Sequence, residues 1–275
     1  MQKTKRNVTK ENDLQKIKEL RLMDDDFFSE ALDGKTEAVE YILNTVLERD
    51  DIKVKSTKAQ VEYKSATKRS IKLDIQAEDV NGRLMDIEIQ RSDRGSGVRR
   101  ARFHSSMIDR ALLSKGDDFE DLVDTYVIFI TEKDKFGMGI PLYHIERKIS
   151  EMDNALFGDG AHILYVNGEY RNLEHPVGSL MHDFNCKDAK DMVNPLLAEE
   201  VRYLKETEGG RSQMSRILEE MRNEVAEKAK AEGNHEKAVN TALKMIAKKY
   251  EAEEIAEITG LSLEEVRKLA ENQKG

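Results

Sequence analysis

Two short apolar runs, TYVIFIT (Thr125 to Thr131) and AHILYVNG (Ala161 to Gly168), constrain the fold more tightly than any other feature of the chain. Both are nearly continuous in β-favouring residues and lack the polar alternation of a strand with one wet face, so they read as strands buried on both sides. Helices must cover such strands, and helical spacing is present. Phe27, Phe28, Ala31 and Leu32, then Val39, Ile42, Leu43, Val46 and Leu47, mark two helices broken near Gly34, while Ala101, Ile108, Ala111 and Leu112 mark another within Val98 to Ser114. From about Ile52 to Gln90 the period falls to two: Val61, Tyr63 and Ser65 alternate with Gln60, Glu62 and Lys64, and Ile71, Leu73, Ile75 and Ala77 alternate with polar neighbours. The order helix, strands, helix, strand, strand is an α/β layered core.

The flanks differ from this core. Residues 1–23 are polar and basic and read as an N-terminal arm; residues 24–195 hold the core; residues 196–275 read as a helical extension without strand signal. Within it, Ala198 to Glu232 is expected as exposed helix with breaks at Gly209-Gly210 and Gly233. The end resembles a helix-turn-helix, with Gly260 between two amphipathic stretches, Ser262 as N-cap and Glu265 at the third helical position. From Ile246 to Gly275 seven acids face five basic residues, and Glu264 and Glu265 open the second helix. Nucleic-acid recognition wants the opposite sign there, so packing or homo-oligomerisation is the better expectation for this end.

A net charge of -9 requires any DNA contact to rely on a local basic patch. No window approaches the roughly 18 apolar residues of a membrane span, and the polar start lacks the apolar core of a signal peptide, so no membrane partner and a cytoplasmic location are expected. Cys186 is the lone cysteine and is expected to be structural.

Chemistry concentrates in SIKLDIQAEDVNGRLMDIEIQRS. Asp74 lies on the polar face of one strand, and Asp86, Glu88 and Gln90 on that of the next, with the turn signal Asn81-Gly82 between. A two-residue turn would oppose Asp74 to Ile89 and mix the faces. A three-residue loop with Gly82 left-handed opposes Asp74 to Glu88, Gln76 to Asp86 and Leu73 to Ile89, which keeps both faces consistent. Opposed carboxylates with Cβ atoms about 4.5–5.5 Å apart repel unless a cation or proton lies between them. Hard oxygen donors suit Mg²⁺ or Mn²⁺, and such an ion activates water and neutralises charge on a phosphodiester. Solvation of an outer hairpin face explains the same alternation equally well. Next in the chain, RSDRGSGVRRARFH supplies Arg91, Arg94, Arg99, Arg100 and Arg102, a cluster able to grip phosphates or to line a solvated helix.

The run from LDIQAEDVNGRLMDIEIQRSDRGSGVRRARFH through TYVIFIT and HILYVNGEYR resembles the bacterial PD-(D/E)XK nuclease family transposases, relatives of the recombination-promoting nucleases. The likeness extends from MDDDFF at Met23 past MHDF at Met181 to NPLLAEEVRYLKE and the EIAEITGLSLEEV tail. It implies a restriction-endonuclease-like core, a mixed central sheet flanked by helices, and metal-dependent cleavage of DNA linked to recombination or mobile elements. By motif position it implies Asp74 and Glu88 as metal ligands and Gln90 in the place of the superfamily's lysine. Glutamine can hydrogen-bond water but carries no charge, so the match implies that an arginine such as Arg100 or Arg102 supplies it, or that activity is weak. An acid on the first core helix often assists the metal; Asp26 is selected from Asp25, Asp26 and Glu30. Arg99, Arg100 and Arg102 are expected to contact DNA, and His104, where relatives often carry tyrosine, to be structural. The alternatives are a DNA-binding regulator, or an interaction protein, with an inert nuclease core.

Overall fold

The computed structural model describes residues 2–64, 70–91 and 96–272, so Ser65 and Arg94 lie outside the described residues. The chain forms two compact units, Met1–Ser215 and Arg216–Gly275. The first opens with helices α1 (Gln2–Glu19), α2 (Asp25–Leu32) and α3 (Thr36–Val46), followed by strands β1 (Val54–Tyr63), β2 (Ile71–Asp79) and β3 (Leu84–Gln90). Helix α4 (Val98–Leu112) leads to β4 (Thr125–Thr131), β5 (Leu142–Ile145), the short pair β6 (Lys148–Ile149) and β7 (Ala155–Leu156), and β8 (Ala161–Asn167). Helices α5 (Pro176–Asn185), α6 (Pro195–Glu206), α7 (Glu208–Ala247), α8 (Ala252–Thr259) and α9 (Leu263–Asn272) complete the order.

Six strands form one mixed sheet in the order β1-β2-β3-β4-β8-β5. β1 to β3 pair antiparallel, β3, β4 and β8 run parallel, and β5 returns antiparallel on β8. The two apolar runs are β4 and β8 beside each other, and every residue of β4 is buried. This is the layered α/β sheet that their composition demands. Phe27, Phe28, Ala31 and Leu32 on α2 and Val39, Ile42, Leu43 and Val46 on α3 are all buried, as their helical spacing requires. Beneath α4, Ala101, Met107 and Ile108 pack with Ile71, Leu73, Leu84, Val127, Phe129 and Tyr165. β5 to β7 carry no period strong enough to read from sequence.

The segment read as an arm is the helix α1, and its end docks: Ile17, Leu22 and Met23 are buried. The Lys205 ammonium on α6 fastens that end by donating to the carbonyls of Lys18 (2.9 Å), Leu20 and Lys187. α6 also departs from the expected exposed helix, because Leu197, Ala198, Val201 and Leu204 form a buried stripe. Nor do the glycines break the chain, since α7 runs through Gly209, Gly210 and Gly233. A Cβ on Gly210 would sit 2.2 Å from the Tyr203 carbonyl oxygen, so this glycine permits a tight turn from α6 into α7.

In the second unit, Ala242, Ile255, Leu261 and Val266 form a small core. Gly260 caps α8 with φ 73°, and Ser262 Oγ accepts from the Glu265 amide (3.2 Å), the N-cap expected for α9. Among the described residues, no helix is long and apolar enough to cross a membrane.

Candidate active site

The β2-β3 hairpin sets the site. Its loop is Val80-Asn81-Gly82: the Asp79 amide donates to the Arg83 carbonyl (3.1 Å), the Gly82 amide to the Asp79 carbonyl (3.1 Å), and Gly82 has φ 81°. A three-residue loop with a left-handed glycine fixes an even register, and Ile75 opposes Ile87 while Gln76 opposes Asp86.

The ladder then lets go of Asp74. The β2-β3 pairing ends at Ile75 and Ile87, and the β1-β2 pairing passes from Ala59–Ile75 to Val61–Leu73 without a pair at Gln60 and Asp74. Side chains replace the lost partners. The Asp74 amide donates to Glu88 Oε1 (3.0 Å), the Ile89 amide to Asp74 Oδ2 (2.9 Å), and Ser29 Oγ on α2 to the Asp74 carbonyl (3.3 Å). Gln60 Nε2 donates to that Ser29 hydroxyl (2.7 Å) from a left-handed backbone with φ 57°. A glutamine held there is strained, and strain of this kind gathers at functional sites. β2 also changes face here: Ile75 pairs with Ile87, whereas Ile71 and Leu73 join Leu84 beneath α4. Strict alternation, which put Ile71, Leu73, Ile75 and Ala77 on one face, fails at the acid itself. The Ser29 and Gln60 contacts behind Asp74 are ones that sequence reasoning missed, since neither strain nor the α2 contact leaves a local signal.

Of the two readings of this face, a solvated outer surface is excluded, because the face is an interior. α4 roofs it, and Asp86 and Glu88 are both 0% exposed. His104 Nδ1 lies 2.9 Å from Asp86 Oδ2 and 3.9 Å from Glu88 Oε1. One turn earlier on α4, Arg100 donates through Nη2 to Glu88 Oε2 (2.8 Å) and through Nε to His104 Nε2 (3.2 Å). An accepting Nε2 places the neutral ring's hydrogen on Nδ1, where it donates to Asp86. Phe129 underlies the group, its ring centroid 5.7 Å from that of His104 and 5.9 Å from the Arg100 guanidinium. Asp86 Oδ1 is buried without a hydrogen-bond partner.

Burial, then the charge of Glu88, pushes the Asp74 carboxyl up to about 8. Burial, then the charge of Asp86, pushes Glu88 up to about 8, and burial with the Asp74 charge drives Asp86 well above the usual carboxylate range. Three carboxyls so arranged release protons reluctantly unless a cation replaces them.

Residues 26–175, more than half of the chain, match the PD-(D/E)XK nuclease family transposases. The chain belongs to this family. No curated protein and no solved structure matches it.

In this PD-(D/E)XK nuclease family transposase, the two acids expected from the sequence to be metal ligands, Asp74 and Glu88, are the two whose carboxylates cross-brace β2 and β3. Gln90, expected from the resemblance to stand in the place of lysine, donates from Nε2 to the Ile89 carbonyl (2.8 Å). Asp26 lies in the first turn of α2, and its amide donates to Asp25 Oδ1 (2.8 Å); the charge of Asp25 adds to the upward push on Asp74. Arg99 and Arg102 are exposed on α4, while Arg100 turns inward to the acids. Arg91 pairs with Asp24 (2.6 Å) and Glu132 (3.4 Å), tying the end of β3 to the start of α2.

The donor set fits a divalent cation. Asp86, Glu88 and His104 each offer a ligand atom within 4.8 Å of the others, and the Asp86 and Glu88 carboxylates have a cation or a shared proton as the means of lying side by side. His182, Asp183 and Cys186 form the other such group among the described residues. There both Asp183 oxygens accept backbone amides, from Val193 (2.7 Å) and Asn194 (2.8 Å), as a structural carboxylate does. Burial raises the Cys186 thiol to about 11, in keeping with a structural cysteine.

Proposed function

We propose that this protein is a divalent-cation-dependent DNA endonuclease acting in recombination or in the movement of mobile elements. The observation that carries the reading is the Asp74–Asp86–Glu88 group with the unpartnered Asp86 Oδ1, a buried concentration of carboxyls that a cation would complete. Asp74 and Glu88 would hold the cation, Mg²⁺ or Mn²⁺, with Asp26 contributing from α2. Bound there, such an ion supplies a water of lowered pKa and neutralises charge on the scissile phosphate.

The chain's own residues do the rest. Cross-bracing by Asp74 and Glu88 fixes both carboxylates on the sheet instead of on loops, so the geometry is set before substrate arrives. Gln90 would orient the attacking water through its carboxamide, and Arg100, beside Glu88 on α4, would supply the charge that lysine gives elsewhere. Arg99 and Arg102 hold the flanking phosphates from the exposed side of α4. The same reading places the protein in the cytoplasm and assigns homo-oligomerisation to the C-terminal helices, where Val225, Tyr250 and Ile258 are exposed.

One observation favours a second reading, an inert core serving a DNA-binding or interaction protein: Gln90 carries no charge and already spends its carboxamide on Ile89. Plasmid nicking separates the two. Cleavage with Mg²⁺ or Mn²⁺ that EDTA and Asp74→Asn both abolish is expected; DNA binding without cleavage under any divalent cation would leave the inert reading.

A further inference from the structure

We propose that the cation of the acid cluster takes His104 as a nitrogen ligand beside Asp86 and Glu88, and is therefore a first-row transition dication in preference to Mg²⁺. This inference rests on the metal-dependent reading above and adds two residues, one of them an imidazole, to the Asp74 and Glu88 of the motif.

The geometry carries it. Ligands at about 2.1 Å from one octahedral ion lie about 3 Å apart when adjacent and about 4.2 Å apart when opposite. His104 Nδ1 is 2.9 Å from Asp86 Oδ2 and 3.9 Å from Glu88 Oε1, so these atoms already bracket the space one ion occupies. All three residues are buried, and the ring is held between α4 and Phe129. Asp86 Oδ1 is the second observation: a carboxylate oxygen enclosed by protein and without a hydrogen-bond partner, which a cation or shared proton beside it would complete. Imidazole is a softer donor than carboxylate or water, and its inclusion moves a site away from Mg²⁺ and towards transition dications.

Protons balance as follows. To ligate, Nδ1 gives up the hydrogen that now points to Asp86, and a neutral ring then carries its hydrogen on Nε2. Nε2 no longer accepts from Arg100 Nε, and the same cation neutralises Glu88, so Arg100 loses both partners at once. Metal loading and release of the Arg100 guanidinium are thereby one event.

Mn²⁺ is the probe, because its electron spin senses directly bound nitrogen. Electron spin echo envelope modulation of the full-length protein loaded with Mn²⁺ is expected to show coupling to ¹⁴N, and growth on ¹⁵N-histidine to replace it with ¹⁵N coupling. His104→Gln is expected to remove the coupling and weaken Mn²⁺ binding tenfold or more, with Mg²⁺ affinity changing by less than about threefold. His182→Gln is expected to retain the coupling, which excludes the other group as its source even if the His104 variant does not fold; loss of the coupling in His182→Gln would overturn ligation by His104. Mn²⁺ bound without nitrogen coupling would overturn ligation by His104 and leave the metal-dependent reading standing. Absence of Mn²⁺ and Mg²⁺ binding alike would overturn both.

Discussion

Two buried aspartates on one hairpin have opposite fates. Asp79, at the turn end of β2, is 1% exposed, yet its carboxyl is held below the usual range: although burial pushes it up, Arg83 pairs with it through Nε (2.7 Å) and the amides of Asn81 and Arg83 each donate at 2.9 Å. Asp86, at the other end of the hairpin's pairing with α4 above it, is 0% exposed, leaves Oδ1 without a donor, and is pushed far upward. A structural carboxylate arrives with its donors built in; one kept for a ligand is left short of them.

The largest expected effect tests that contrast. Asp74→Asn is expected to lower divalent-dependent cleavage at least about a hundredfold, by analogy with loss of a single electrostatic group in other active sites, while leaving the metal-free protein as stable or more stable. Asp86→Asn should likewise hold or raise the metal-free melting temperature, since the new amide donates to Glu88 and its oxygen still accepts from His104. Asp79→Asn is expected to do the reverse, costing about 3 kcal/mol by leaving Arg83 buried without its partner, with cleavage retained in the folded fraction. Thermal melts and plasmid nicking of the three variants check this, and equal destabilisation by all of them would erase the distinction.

How much of this was written in the sequence follows the same division. The Asn81-Gly82 signal and the alternation of apolar residues dictate the even register, because any other puts Ile89 among acids, and Ile75–Ile87 confirms it. What alternation cannot show is a roof. Alternation leaves a wet face open for Asp86 and Glu88, because the packing of α4 over them is a tertiary contact that the period of β3 does not record. His104 and Arg100 are four residues apart on that helix, a spacing visible from the start, but nothing local says that this stripe faces carboxylates instead of water. The burial of α6 was hidden differently: the buried stripe of Leu197, Val201 and Leu204 is present in the sequence, and the surrounding charge obscured it.

A smaller effect concerns pH. Asp74 and Glu88 release protons near 4 in the unfolded chain, but in the folded one both are raised to about 8. The unfolded state therefore binds fewer protons across that interval, so the stability of the metal-free protein should fall as pH rises from about 4 to about 8 and then level. A saturating divalent cation replaces those protons and should flatten the fall. Below pH 8, apparent metal affinity should rise about tenfold per pH unit for each proton displaced. Chemical denaturation at several pH values, with and without Mn²⁺, reads both. A carboxylate like Asp79, depressed in the folded state, contributes stability that is present above the unfolded pKa of about 4 and lost as pH falls, so a metal-free stability that instead rises from pH 4 to 8 would place the acids of the cluster in its class.

The smallest effect divides the arginines of α4 by the direction they face. Arg99 and Arg102 are exposed, whereas Arg100 spends its guanidinium on Glu88 and His104. Each outward arginine that neutralises a phosphate releases a counterion, so Arg99→Ala and Arg102→Ala should each weaken DNA binding a few-fold and lower the slope of log affinity against log salt by about 1. Measured without divalent cation, Arg100→Ala should leave that slope unchanged, because its charge is already committed within the cluster. With a cation loaded, Arg100 loses its acceptors and becomes available, and the same substitution should then lower the slope as the other two do. A salt titration of DNA binding by the three variants, with and without Mn²⁺, measures this. An Arg100→Ala slope that is lowered equally in both conditions would mean that DNA alone draws the guanidinium away from Glu88, and the tie between metal loading and Arg100 release would be lost.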